Sequence, residues 1–190
     1  LLDYGMGFAE FIAEFEPAAP LPYLPDVARI ERAWTKAYHA REASPLDPGV
    51  FAEIPGDRIA DLRFAIHPSL RIVQSQFPAL TIWRMNVADG VPSAVDLESG
   101  GEDVLVVRPA ADVEVRSIPP RGATFLSALT SGKTLGEAAK SAMSDAGNFD
   151  LSGNIAALIG AGVFVGYSIA ADAAQTEESV VRTWAKRDSI

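Results

Sequence analysis

"LTSGKTLGEAA", residues Leu129 to Ala139, ends its first half in Gly-Lys-Thr, as a phosphate-binding loop does, yet it falls where a helix-turn-helix would bend. A phosphate-binding loop needs Gly, four residues and then Gly-Lys-Thr, set between a buried strand and a helix so that backbone N–H groups converge on the phosphates. The first glycine position is here Ser127, and the preceding residues space Phe125, Leu126 and Leu129 along one helical face. A nucleotide site is therefore excluded. The stretch reads instead as punctuation between two helices. Gly132 closes the first as a left-handed residue, and Thr134 with Glu137 forms a capping box that opens the second. Gly160, Gly162 and Gly166 fail as a dinucleotide fingerprint for the same kind of reason: the spacing is wrong and a helix, not a strand, precedes them.

Outward from that turn the pattern stays regular. "DVLVVRPA" and "DVEVRSIP" are short β-branched runs split by a turn, which predicts a hairpin over Val104–Val107 and Val113–Ser117. Helices are predicted at about 122–130, 135–143 and 151–161, the last with Asp150 as N-cap, and "VFVGYSI" returns as a strand. Hairpin, three helices and a closing strand is a winged-helix-like order, with the second and third helices in helix-turn-helix positions. Upstream, Leu62, Phe64 and Ile66 alternate with Arg63 and Ala65, then His67-Pro68 breaks the run and Leu70 and Ile72 resume it, which predicts two strands. A short helix from Phe77 or Pro78 to Met85 and an acidic loop over 88–101 follow.

The N-terminal part is helical. Tyr4, Phe8, Phe11, Ile12 and Phe15 share one stripe that Pro17 and Pro20 stop, and a second helix opens near Pro25 and Asp26 with Val27, Ile30, Trp34 and Tyr38 on one face. "ASPLDPGVFAEIPGD", from Ala43 to Asp57, holds at most one helical turn and marks a boundary. The predicted class is α+β, with a helical domain over residues 1–46 and a winged-helix-like domain over 47–190. In the last twenty residues Val180, Val181 and Trp184 are placed to dock a terminal helix, and 171–178 reads as a solvated tether.

Composition limits the function classes. The 190 residues are 48% hydrophobic, without an apolar run long enough to span a bilayer, so no membrane partner is expected. The formal net charge of −9 repels phosphate backbones on average. The predicted third helix, "LSGNIAALIGAGV", has no basic residue, and only Asn154 in it suits a base edge, so duplex DNA is disfavoured as a partner. There is no cysteine, which fits a reducing, cytoplasmic setting, and two histidines give little basis for a metal site. Asp26, Glu31 and Glu42 are not spaced to share one face, and no nucleophile lies near them; no enzyme activity and no cofactor is expected.

"LLDYGMGFAEFIAEFEPAAPLPYLPDVARIERAWTKAYHA", "LRFAIHPSLRIVQSQFP", "IWRMN" and "FLSALTSGKTLGEAA" together resemble HvfC/BufC-type proteins, a family whose N-terminal region is labelled DNA-binding. The resemblance covers most of residues 1–169 and is most specific in Pro22-Tyr23-Leu24, Tyr38-His39 and His67-Pro68-Ser69. It implies that the chain begins inside its first domain. It also implies a partner subunit for a TIM-barrel, multinuclear iron enzyme that modifies cysteines of a ribosomally made precursor peptide. The other reading is a DNA-binding regulator. Winged helices also bind extended peptides along a strand edge. The candidate partner- or peptide-binding residues are Tyr38, His39, Arg63, His67, Arg108 and Arg116, with Arg108 and Arg116 at the hairpin ends. Trp34 and Trp83 are expected as core or interface anchors, and Arg63, Arg71, Arg84 and Arg108 as solvated positions by default.

Overall fold

A computed structural model describes residues 5–88, 91, 93–143 and 149–170. Tyr4, the tether expected at 171–178 and the docking residues Val180, Val181 and Trp184 lie outside the described residues. Among the described residues the chain is mixed α+β with two small antiparallel sheets. In order it forms α1 (Phe8–Glu14), α2 (Leu24–Tyr38), β1 (Leu62–Ile66), β2 (Arg71–Gln74), α3 (Ala79–Val87), β3 (Asp103–Val107), β4 (Glu114–Ser117), α4 (Gly122–Thr130), α5 (Leu135–Met143), α6 (Leu151–Gly160) and β5 (Phe164–Ile169). One sheet pairs β1 with β5, and the other runs β2-β3-β4.

Local chemistry accounts for most element ends. Helix α4 ends in a Schellman motif: Gly132 adopts φ 83°, its N–H reaches Leu129 O at 3.0 Å, and Lys133 N–H reaches Ala128 O at 3.2 Å. Helix α6 ends the same way through Gly162, whose φ is 66°. The capping box ahead of α5 is reciprocal, with Thr134 N–H donating to Glu137 Oε2 at 2.8 Å and Glu137 N–H donating to Thr134 Oγ1 at 3.2 Å. Asp150 accepts from Gly153 N–H at 2.9 Å and caps α6. Helix α1 is shorter than its stripe predicts, because Gly5 and Gly7 take left-handed φ of 81° and 84° and the helix starts only after them. A 3-10 helix over Pro48–Glu53 lies within the stretch Ala43–Asp57 where at most one turn is expected, and a second, Gly56–Asp61, begins at its end.

The capping box carries a prediction of its own. Thr134→Ala is expected to cost about 1 kcal/mol in urea unfolding. The Thr134 backbone N–H beside it holds the Glu137 carboxyl below its ordinary value. A depressed folded value means that the stability this group adds is present above the unfolded carboxylate range and is lost as pH falls through the folded value. Glu137→Gln should therefore flatten the acid limb of the stability curve while leaving the box able to bond.

Strand β3 is the spine of the fold. Its residues alternate between two apolar clusters, so that Val104 and Val106 face Ile30, Ala33 and Ala37 of α2 together with Leu80 of α3, while Leu105 and Val107 face the cluster that holds Leu62, Phe64, Phe125, Leu126, Leu129 and Phe164. All four of these β3 residues are buried. This is the pattern of a strand covered on both faces, which explains why "VLVV" reads as a continuous apolar run and not as an alternation. Helix α2 precedes the boundary expected at 46/47, and its buried face packs on strands that follow it. The closing strand β5 pairs with β1, Leu62 opposite Ile169 and Phe64 opposite Tyr167, and not with the hairpin.

Candidate functional site

Four of the six predicted residues gather where α2 ends. Arg108 follows β3 and is only 8% exposed; its guanidinium donates to Ala37 O at 3.3 Å, Ala40 O at 2.8 Å and Ala110 O at 3.1 Å. The carbonyls of Ala37 and Ala40 belong to the last turn of α2 and its exit, where helical N–H groups run out, and Ala37 O also accepts from Ala40 N–H at 3.2 Å. Arg108 is thus a buried cap on α2, not the solvated residue expected by default. Its Glu42 neighbour, 3.7 Å away, is largely exposed.

The network continues through Ser69. Arg108 N–H donates to Ser69 Oγ at 2.7 Å, and Ser69 Oγ and N–H lie 2.8 Å and 3.2 Å from His67 Nδ1. The Ser69 N–H donates to Nδ1, which places the ring proton on Nε2, and Nε2 donates to Ala43 O at 3.0 Å. His67, 2% exposed, therefore ties the segment after α2 to the break between β1 and β2. Both of its ring nitrogens are engaged by the protein itself. Tyr38 and His39 sit over this network at the surface. Tyr38 is 52% exposed, stacks on Trp34 at 5.4 Å and meets the His39 ring edge-on at 5.0 Å. Trp34 is accordingly a surface aromatic and not a core anchor, whereas Trp83 packs against the α2-side cluster and donates from Nε1 to Glu31.

The remaining two residues lie apart. Arg63 on β1 donates to Gly132 O and faces Glu137 at 3.9 Å, which fastens the Gly132–Thr134 turn to the two-stranded sheet. Arg116 on β4 pairs with Glu114 at 2.5 Å. The carboxylates weighed for acid–base work are dispersed: Asp26 accepts from Arg29 and from Ser75 Oγ, Glu31 meets Trp83, and Glu42 meets Arg108. Among the described residues no group of three or more His, Cys, Asp or Glu is placed to hold a metal ion.

Sequence reading looks for a peptide edge at the hairpin of Val104–Val107 and Val113–Ser117 and misses the edge of β2. Ser75 N–H donates to Glu102 O, and in the same register Val73 and Arg71 exchange bonds with Val104 and Val106. The backbone groups of Ile72 and Gln74 therefore point away from β3. The elements packed most closely against β2 are β3 and α2, and α2 covers a face of the sheet, so among the described residues this edge stays open. It borders a groove of about 810 Å³ between α2, the turn before α1 and β2. The hairpin offers less. Its β3 side is taken by β2, and on the β4 side the outward carbonyl of Val115 accepts from Arg84 at 3.1 Å. "LRIVQS" carries the residues of the open edge, but nothing local in it announces which of its neighbours is absent.

The surface of α4 to α6 is equally concrete. Asn154 is 2% exposed and donates to Asp150 O at 2.8 Å, so it does not reach outward to a base edge. Arg121 donates to Ala142 O at the end of α5, at 2.8 Å. No family model matches the chain, and no curated protein matches it. No helix among the described residues is long and apolar enough to cross a membrane.

Proposed function

We propose that this chain is a non-catalytic partner subunit that holds a ribosomally made precursor peptide for a TIM-barrel, multinuclear iron enzyme, which modifies the peptide's cysteines. The barrel enzyme and the precursor come from the resemblance to HvfC/BufC-type proteins, and a cytoplasmic setting fits the absence of cysteine. The observation that supports peptide recognition is the open edge of β2 beside a groove, where main-chain bonds can hold an extended segment. In this reading the hairpin, α4 to α6 and β5 form a winged-helix-like scaffold, and the buried Arg108–Ser69–His67 network fixes α2 above the strand edge. Tyr38 and His39, exposed at the end of α2 next to the carbonyls that Arg108 serves, are the surface residues open to a partner.

The regulator reading has the helix order in its favour. Against it stand the buried Asn154, the Arg121 side chain committed to α5 and the net charge of −9. Co-expression decides between the two. With a barrel enzyme and a cysteine-bearing precursor, the peptide should be retained with this chain and modified only when it is present. A protein that leaves the peptide unmodified and unbound, but forms a sequence-specific duplex complex at physiological salt, would overturn the proposal.

A further inference from the structure

An open strand edge says that a peptide can dock; the side chains around it say what kind. We infer that the groove beside β2 takes an extended acidic peptide segment, an inference that rests on the peptide-recognition reading. The lining contains Arg29, Arg32, Lys36 and Arg71 against Glu10 and Glu31, and Asp26, 2.5 Å from Arg29, brings the formal balance to +1 in a chain of −9. Glu10 is paired with Arg29 at 3.5 Å, whereas Glu31 accepts from the neutral Trp83 indole and keeps its charge. Arg71 spends its donors on the carbonyls of Pro68 and Leu70, at 2.9 and 2.6 Å, and these neutral acceptors leave its positive charge uncompensated. Lys36 is exposed on the last turn of α2, and His39 follows it into the same lining.

The geometry combines two recognition terms. Ile72 and Gln74 present backbone N–H and C=O groups in the sheet plane, which a strand laid antiparallel or parallel to β2 can pair. Lys36 and Arg71 stand on the α2 side of that strand, where alternate side chains of the guest would project. Main-chain bonds are indifferent to sequence, so the cations supply the selectivity, and carboxylates at alternate positions of the guest are what they select. A lysine-rich guest would meet like charge in the same place.

The test uses the full chain and two fluorescein-labelled peptides of alternating valine and glutamate, or valine and lysine, of equal length. Fluorescence anisotropy at low salt should show the glutamate peptide binding at least about tenfold more tightly than the lysine one, with the difference shrinking as salt rises. On binding, amide hydrogen exchange should slow at Ile72 and Gln74, whose N–H groups face the groove, and change little at Val73, which is already bonded to β3. Lys36→Glu, an exposed substitution, should remove the preference for glutamate without moving the melting temperature. Equal affinity for the two peptides, or a preference that survives Lys36→Glu, would overturn the inference. Slowed exchange at Val115 and Ser117 instead would place the peptide on β4, which sinks this site while peptide recognition stands. No binding and no slowed exchange at either edge removes both.

Discussion

Replacing Arg108 by methionine is expected to cost about 3 kcal/mol of folding stability, because it deletes a buried donor set that serves Ala40 O and Ala110 O and that supplements the Ala40 N–H at Ala37 O. The side chain is nearly fully enclosed and serves Ala37, Ala40 and Ala110 at once. Methionine fills much of the same volume, so the loss measured is mainly that of the polar cap and not of a cavity. Arg108→Lys should recover less than half of it, since a single ammonium cannot fork toward several carbonyls in the way a guanidinium does. Glu42→Gln is the control. Its carboxylate is 89% exposed at the side chain, and a surface pair of this kind contributes little, so urea unfolding should shift by no more than about 0.5 kcal/mol. If Glu42→Gln costs as much as Arg108→Met, the pair and not the cap holds α2 in place.

What could be read from the sequence follows from the range of each interaction. Helices α4 and α5 were legible to the residue, as was the capping box between them, because caps and periodicity are set within a few positions: Gly132, Thr134 and Glu137 carry that signal alone. The hairpin of β3 and β4 was legible for the same reason. Partnerships across the chain were not. Nothing near Leu62 indicates that it will pair with Ile169, and nothing near Arg71 indicates that β2 will lie beside β3 on one side and beside open groove on the other. The site residues divide along the same line. The Tyr38-His39 pair, His67 and Arg108 stand far apart in the sequence and share one region, but what joins His67 to Arg108 is Ser69, a small residue whose importance comes from those two contacts. Arg108 itself looked like a solvated charge because burial of an arginine depends on carbonyls supplied some seventy positions earlier, a separation of 68 to Ala40 and 71 to Ala37.

Phe125→Ala should remove about 3–5 kcal/mol, the usual cost of emptying an aromatic site in a core that cannot collapse onto it. Phe125 is fully buried in α4, and its ring lies 5.3 Å from that of Phe149. The more telling outcome concerns the other side of the molecule. Trp83 belongs to the α2-side cluster, which Phe125 does not join, and the two clusters meet through the strand whose residues alternate between them, Val104 and Val106 on one face and Leu105 and Val107 on the other. Unfolding either cluster strips one face of β3 and exposes a row of buried valine and leucine, so neither half should survive the loss of the other. With Trp34 and Trp184 replaced by phenylalanine, Trp83 fluorescence and far-ultraviolet circular dichroism should therefore give coincident urea transitions, and Phe125→Ala should move both midpoints together. A Trp83 transition that stays at its original midpoint while the helical signal of α4 to α6 is lost would show that residues of α2, α3 and the three-stranded sheet fold without the rest, and that β3 does not couple its two faces.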